Sequence, residues 1–253
     1  MIMEHNLKNI ISHPKFQEKL TSIATEEAMD IVEVQKKGAA YIQELFSQQH
    51  PIANMLSVKG FQFMMSKAYN NKIDIDRQEI KKLMKLMRQN SVAFILTHKT
   101  YLDTVVLVTT LARYGMPIPY TFGGINLAFP GFKQLGKNSG LIFIRRSFKE
   151  NRIYKAALRH YISCMIENGD HLTWNIEGTR SRTGKIVYPQ MGILKYIMEG
   201  EKESTRNIKY VPVSIVYDLI PDVKQMTEEG KGQERSTTEL HLEVTDHPNF
   251  AVD

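Results

Sequence analysis

The spacing of hydrophobic positions divides the chain into two parts. In the first 49 residues, apolar side chains such as Leu7, Ile10 and Ile11 recur at intervals typical of helices. Further along, residues 92–96 form an unbroken apolar run, which predicts a strand buried on both faces. Four more segments have strand character, namely residues 117–122, 140–147, 171–176 and 210–217. The sequence therefore predicts helices first and then a sheet.

Helical patterns separate the predicted strands. A helix is expected after Asp76, another from Asp103 to a stop at Gly115, and two more over residues 151–168 and 188–198. Shorter edge strands are predicted at residues 72–76 and 240–244. These elements indicate the α/β class, with a helical N-terminal region over residues 1–70 and an α/β domain over residues 71–253.

Two prolines divide the N-terminal region. Pro14 and Pro51 each follow a histidine, and the residue before a proline is disfavoured in a helix. The segment after Pro51, residues 52–69, mixes Phe61 and Phe63 with Lys59 and has two interpretations. It could lie at a membrane surface as an amphipathic helix, or it could pack on the domain's own core, which is the commoner use of such a helix.

Composition narrows the function only slightly. The chain has 253 residues, a formal net charge of +6 and one cysteine, Cys164, so it has no internal disulfide framework. The positive charge suits phosphorylated substrates, an anionic membrane surface or nucleic acid equally well. There is no run of ~18 apolar residues, so no transmembrane helix is expected, and the N-terminus lacks the apolar core of a signal peptide.

Polar chemistry begins where the first buried strand ends. His98 and Asp103 are five residues apart, so a continuous helix would place them roughly 140° apart around its axis. A turn carrying His98, followed by a helix whose first turn holds Asp103, would instead bring the two side chains together. The carboxylate could then accept from one imidazole nitrogen and leave the other as a general base.

The same residues also fit a structural role. Thr100, followed three residues later by Asp103, is close to a capping box, in which Asp103 satisfies backbone donors at the start of the helix. The pattern alone leaves both interpretations open.

Two later segments place cations after predicted strands. Arg145 and Arg146 follow an apolar run, and guanidinium groups bind phosphate or carboxylate in bidentate fashion. Because neighbouring side chains in an extended chain point to opposite sides, only one of the two is expected to face a site. Residues 177–185, EGTRSRTGK, suit an anion-binding loop or, equally, a solvated surface loop.

Together these segments resemble a known family. The sequences THKTYLD (97–103), FIRR (143–146), EGTRSRTGK (177–185) and VPVSIVYD (211–218), with GGIN (123–126) between the first two, are similar to the ordered motif blocks of the glycerol-phosphate acyltransferases. The similarity is closest to bacterial glycerol-3-phosphate and peroxisomal dihydroxyacetone-phosphate acyltransferases. It implies an α/β fold around a mixed sheet, and transfer of a fatty acyl group from a thioester to the hydroxyl of a small phosphate ester.

The resemblance also implies roles for individual residues. His98 would be the general base, and Asp103 would orient it. Arginines of the second and third blocks would bind the acceptor phosphate. The implied substrate-binding positions are Phe143, Ile144, Arg146, Glu177, Gly178, Arg180, Ser181 and Pro212.

The expected co-substrate is acyl-CoA or acyl-ACP, with no cofactor and no metal. We expect a phosphorylated small-molecule acceptor, acyl carrier protein as a partner if it is the donor, and a cytoplasmic location with peripheral contact at the inner face of a membrane. A lysophosphatidic acid acyltransferase is the alternative enzyme, and a non-catalytic module binding anionic lipid is a further one. Nucleic acid is not expected, because the polar residues cluster at strand ends instead of forming a basic stripe with interleaved aromatics.

Overall fold

Five of the described helices precede the first strand. The computed structural model describes residues 6–69, 73–100, 102–125, 132–145, 147–148, 150–181, 185–217 and Thr227. The first helices are α1 (Leu7–Ile11), α2 (Pro14–Glu26), α3 (Ile31–Leu45) and α4 (Pro51–Tyr69). As predicted, Pro14 and Pro51 each open a helix, a position where the missing N–H of proline is not needed.

The later helices are α5 (Arg77–Gln89), α6 (Leu102–Arg113), α7 (Phe132–Asn138), α8 (Arg152–Asn168) and α9 (Gly192–Glu203). Asp76 caps α5 by accepting from the Gln78 N–H, and Gly169 ends α8 with a φ of +83°. The start of α9 was predicted too early. Gln190 N–H donates to the Ile176 carbonyl (2.6 Å), which holds the chain beside the sheet until Gly192.

Within the described residues, five strands form one sheet in the order β3-β2-β4-β1-β5. They are β1 (Ser91–Leu96), β2 (Tyr120–Gly124), β3 (Leu141–Ile144), β4 (Leu172–Asn175) and β5 (Ile208–Val213). Every pairing between these strands is parallel. The α/β fold with N-terminal helices is confirmed, but the described sheet is parallel where the resemblance implied a mixed one. The reason is that a helix joins each strand to the next, which returns the chain to the same edge.

Two predicted edge strands have different outcomes. Residues 73–76 are not a strand, because they lead into the cap of α5. Residues 240–244 lie outside the described part of the chain.

Helices cover both faces of the sheet. Along β1, Ala93 packs into a core shared with α2, α3 and α8, whereas Val92 and Phe94 pack into a second core with α5 and α6. This alternation explains why residues 92–96 of β1 are all apolar, as the sequence predicted. The N-terminal helices share the first of these cores with the sheet, and the domain boundary at residue 70 stays a prediction.

The parallel arrangement gathers the carboxyl ends of all five strands at one edge. His98 follows β1, Arg145 follows β3 and Glu177 follows β4, so polar segments far apart in sequence meet there. None of the described helices contains a stretch long and apolar enough to cross a membrane.

Two helical glycines test the packing directly. An alanine Cβ at Gly200 in α9 would lie 3.0 Å from Ile162 Cγ2 and 3.1 Å from the Ser163 backbone nitrogen, whereas at Gly60 in α4 it would meet no atom within 4 Å. We expect Gly200→Ala to lower the free energy of unfolding by about 1–3 kcal/mol. Gly60→Ala should raise it by about 0.5–1 kcal/mol through helix propensity. Urea unfolding of both variants measures this, and equal effects would contradict the close α8–α9 contact.

Candidate active site

The first polar block forms the expected bend. His98 lies in the turn after β1, and Asp103 lies in the first turn of α6. The imidazole Nδ1 is 3.6 Å from Asp103 Oδ2, with the imidazole 19% exposed and the carboxylate only 2%. This separation is longer than a hydrogen bond, so the contact between the two side chains is electrostatic. The imidazole can therefore reach a substrate, while the carboxylate lies behind it.

Asp103 also takes part in a helix cap. Its Oδ2 accepts from the Thr100 backbone N–H (3.0 Å), and the Thr100 hydroxyl accepts from the Leu102 N–H (3.2 Å). Asp103 therefore caps the helix, as one interpretation of the sequence predicted, and it also lies 3.6 Å from the His98 imidazole, which is beyond the hydrogen bond expected by the other. The cap fixes the orientation of the carboxylate, and the same oxygen faces His98.

A third contact to Asp103 was not predicted. The Tyr217 hydroxyl donates to Asp103 Oδ1 at 2.7 Å, across 114 positions of sequence. No local spacing signals this contact, because it depends on how the segment after β5 crosses to α6.

Pro212, the position of the fourth block implied by the resemblance, lies within β5 opposite Ile95 and is exposed.

The first arginine of the second block is paired with the N-terminal helices. Arg145 binds Glu44 of α3 through two hydrogen bonds of 2.7 and 2.5 Å, and its guanidinium lies over the rings of Tyr41 and Tyr154. The hydrogen bonds to the Glu44 carboxylate raise the pKa of Arg145 above its ordinary value. Arg145 is therefore committed to the N-terminal helices, and Arg146 lies outside the described residues.

The apolar members of the second block differ in accessibility. Phe143 is fully buried in β3, and its ring lies against the backbone of α7 at Gly136. Ile144 is half-buried at the end of the strand. Of the two, only Ile144 presents surface at the carboxyl edge of the sheet.

The third block lies beside the His98 turn. Ser181 N–H donates to the His98 carbonyl (2.8 Å), and the Asn175 side chain donates to the Thr97 carbonyl (2.9 Å). Glu177, Arg180 and Ser181 are each no more than 2% exposed, so at these positions the solvated-loop interpretation is excluded. Gly178 is exposed, with a φ of +68° that allows the tight turn after β4. Residues 182–184 lie outside the described part.

Two polar groups of this block are buried in a way that suits a ligand site. Neither carboxylate oxygen of Glu177 accepts a hydrogen bond from any residue that the structure describes. Arg180 donates to the Ser181 carbonyl (3.1 Å), which holds its guanidinium within the loop. A buried carboxylate without hydrogen-bond donors is costly, so Glu177 is a position where a bound hydroxyl or cation would be stabilised.

Cys164 and the buried His160 lie together in α8, away from the segments that carry His98 and Glu177. Burial raises the pKa of the Cys164 thiol to about 12, and the residue lies in α8, where its sulfur contacts His160. A thiol with so high a pKa is unreactive at neutral pH. Within the described ranges, no three His, Cys, Asp or Glu side chains are grouped to hold a metal ion.

Comparisons with known proteins agree with the resemblance seen in the sequence. Two proteins named "Putative acyltransferase plsB1", from Mycobacterium tuberculosis (strain ATCC 25618 / H37Rv) and Mycobacterium bovis, are each 34% identical over 230 residues, covering 90% of this chain and 37% of the relative. A Bos taurus protein named "Dihydroxyacetone phosphate acyltransferase" is 30% identical over 204 residues, covering 78% of this chain and 29% of that protein. The chain thus spans about a third of the length of these relatives.

The family model described as Acyltransferase matches residues 77–216, which is more than half of the chain. The match runs from the start of α5 to the segment after β5 and includes His98, Asp103 and Arg180. The chain therefore belongs to the acyltransferase family.

Proposed function

We propose that this chain transfers a fatty acyl group from a thioester to the hydroxyl of glycerol 3-phosphate or dihydroxyacetone phosphate. The observation that carries the proposal is the approach of His98 to the buried Asp103 at the carboxyl edge of the sheet. The buried Glu177 and Arg180 in the adjoining loop provide polar groups for the acceptor. The printed name of the bovine relative supports dihydroxyacetone phosphate as one acceptor.

In the proposed reaction, His98 acts as the general base. Its Nδ1 faces Asp103, so Nε2 takes the proton of the acceptor hydroxyl while that oxygen attacks the thioester carbonyl carbon. The C–S bond then breaks, and the leaving thiolate takes the proton from the imidazolium, giving an ester and a free thiol. No acyl-enzyme, cofactor or metal is required. General base catalysis of this kind contributes roughly 10²- to 10⁴-fold, and holding the two substrates together supplies much of the rest.

The third block is proposed to bind the acceptor. The Arg180 guanidinium, with that of Arg146, would bind the phosphate, and Glu177 would accept from a hydroxyl or order an arginine. Ser181 would keep this loop beside the base through its bond to the His98 carbonyl. The acyl donor would be acyl-CoA or acyl-ACP, whose negative charges suit the net charge of +6.

We also infer peripheral contact with an anionic membrane through α4, at the inner, cytoplasmic face. One side of this helix is buried at Ala53 and Met65, while the other exposes four large apolar side chains: Ile52, Met55, Leu56 and Phe63. Lys59 and Lys67 lie on the exposed side, and α4 contains no acidic residue. Exposed apolar side chains flanked by lysines are typical of helices that lie in the interface of an anionic bilayer.

The position of α4 fits this role. Ser57, in its first half, contacts Ser139 just before β3, and Met65, in its second half, packs on Leu102 and Val105 of α6. The helix thus runs from the amino edge of the sheet to the carboxyl edge, where His98 lies. A bilayer against α4 would be close to the site where an acyl chain is transferred.

Substitutions of the proposed base pair test the chemistry. His98→Ala should lower kcat by about 10²- to 10⁴-fold, because the acceptor hydroxyl loses its base. Asp103→Asn, which keeps the shape of the side chain, should also lower kcat strongly. The assay measures acyl transfer from acyl-CoA and acyl-ACP to glycerol 3-phosphate, dihydroxyacetone phosphate and lysophosphatidate.

His50→Ala is the matched control. His50 is exposed, and its backbone N–H donates to the Asn138 carbonyl at the opposite edge of the sheet. A folded, fully active His98→Ala variant would end the base assignment. Transfer to lysophosphatidate alone would favour the lysophosphatidic acid acyltransferase. Vesicle binding without transfer to any acceptor would favour the non-catalytic module.

Arg180 tests acceptor binding separately. Arg180→Ala should raise the KM for the phosphorylated acceptor by about 10- to 100-fold, since a hydrogen-bonded charge pair contributes about 1.5–3 kcal/mol. The KM for the acyl donor should change little, and Arg180→Lys should restore part of the affinity. Arg159→Ala, which removes an arginine paired with Glu199 on α9, is the control. An unchanged acceptor KM in a folded Arg180→Ala variant would refute phosphate binding there.

Vesicle sedimentation tests the α4 surface. The double variant Leu56→Glu, Phe63→Glu should bind phosphatidylglycerol vesicles at least about tenfold more weakly, because two apolar side chains no longer enter the interface. Val32→Glu is the control, since Val32 is an equally exposed apolar residue on α3. Unaltered binding of the double variant, or equal binding of the parent chain to uncharged phosphatidylcholine vesicles, would contradict this membrane contact.

A further inference from the structure

Tyr217 contacts the proposed base pair, although the family resemblance implies no role for it. It lies in the coil four residues after the end of β5, one position beyond the residues matched by the family model. Its hydroxyl donates to Asp103 Oδ1 at 2.7 Å, while its ring packs in a cluster with Met65, Leu102 and Val105. The hydroxyl therefore meets a carboxylate that is 2% exposed.

The geometry points to Tyr217 as a positioning residue that sets both the orientation and the effective charge of Asp103. This inference rests on the proposed function, because it concerns how Asp103 acts on His98. Tyr217 donates to one carboxylate oxygen and the Thr100 N–H donates to the other, so the carboxylate plane is fixed from two sides. The oxygen bound by Thr100 is the one that faces His98 Nδ1.

The hydroxyl should have two effects on the base. First, it prevents rotation of the carboxylate, so the imidazole keeps one direction in which to accept the substrate proton. Second, a hydrogen bond to the carboxylate disperses its negative charge, which weakens the stabilisation of imidazolium at His98. Neutral imidazole, the form that can act as a base, is then favoured.

Other charged groups near this pair come from the neighbouring loop. Glu177 and Arg180 lie in the segment that is hydrogen-bonded to the His98 carbonyl, and the α6 N-terminus adds the positive end of a helix dipole. The α4 side chains in the cluster around Tyr217 are apolar. A substitution that removes only the Tyr217 hydroxyl leaves each of these groups in the chain.

The test is Tyr217→Phe, which keeps the packed ring and removes only the hydroxyl. We expect kcat to fall about tenfold, from the loss of a hydrogen bond to a charged group. The acid limb of the profile of kcat/KM against pH should move upward by roughly half a pH unit, because imidazolium is better stabilised. The KM values for donor and acceptor should stay unchanged, and Tyr217→Leu should show the same pH shift.

Tyr210→Phe is the matched control. Tyr210 lies on β5 and donates to Glu201 of α9 at 3.3 Å, so its removal also breaks a tyrosine–carboxylate hydrogen bond, but one remote from His98. Its acid limb should not move. A lower kcat with an unmoved acid limb in both Tyr217 variants, or full activity in Tyr217→Phe, would overturn the inference. An active His98→Ala variant would instead overturn the proposed function, so the two failures are distinguishable.

Discussion

The burial of the Asp103 charge is the constraint on which the site depends. Moving a carboxylate out of water costs several kcal/mol unless donors replace the lost hydration. Here the structure shows two donors to the carboxylate, the Thr100 backbone N–H and the Tyr217 hydroxyl. Only the first of these is local in sequence. The charge is therefore tolerable only when the segment after β5 has docked against α6, which couples formation of the site to completion of the fold.

The parallel sheet explains why residues about 80 positions apart meet. Strands β1 and β4 are neighbours in the sheet, with Leu96 opposite Asn175, so the His98 turn and the Glu177–Ser181 loop leave the same edge side by side. Hydrogen bonds from Asn175 to Thr97 and from Ser181 to His98 then join the two segments. The segments that carry His98 and the buried Arg180 thus come together although they are far apart in sequence.

The sequence predicted the features that depend on local rules. The apolar run of β1, the bend between His98 and Asp103, the helix starts at Pro14 and Pro51 and the end of α8 at Gly169 all follow from short-range sterics and patterning. Strand order, the delayed start of α9 and the contacts of Tyr217 could not be predicted, because each depends on a partner from a distant segment. The capping and pairing roles of Asp103 looked like alternatives in sequence, since spacing cannot show that one carboxylate has room for both.

The contact between Arg145 and Glu44 gives the N-terminal helices a part in arranging the site. The Arg145 guanidinium lies over the rings of Tyr41 and Tyr154 and makes two hydrogen bonds to Glu44 of α3, so the residue that follows β3 has a fixed direction. A guanidinium already paired with a carboxylate in this way is not available to a second anion. The helical region before the sheet therefore does more than cover a hydrophobic face: it holds a cation that would otherwise stand at the carboxyl edge of the sheet.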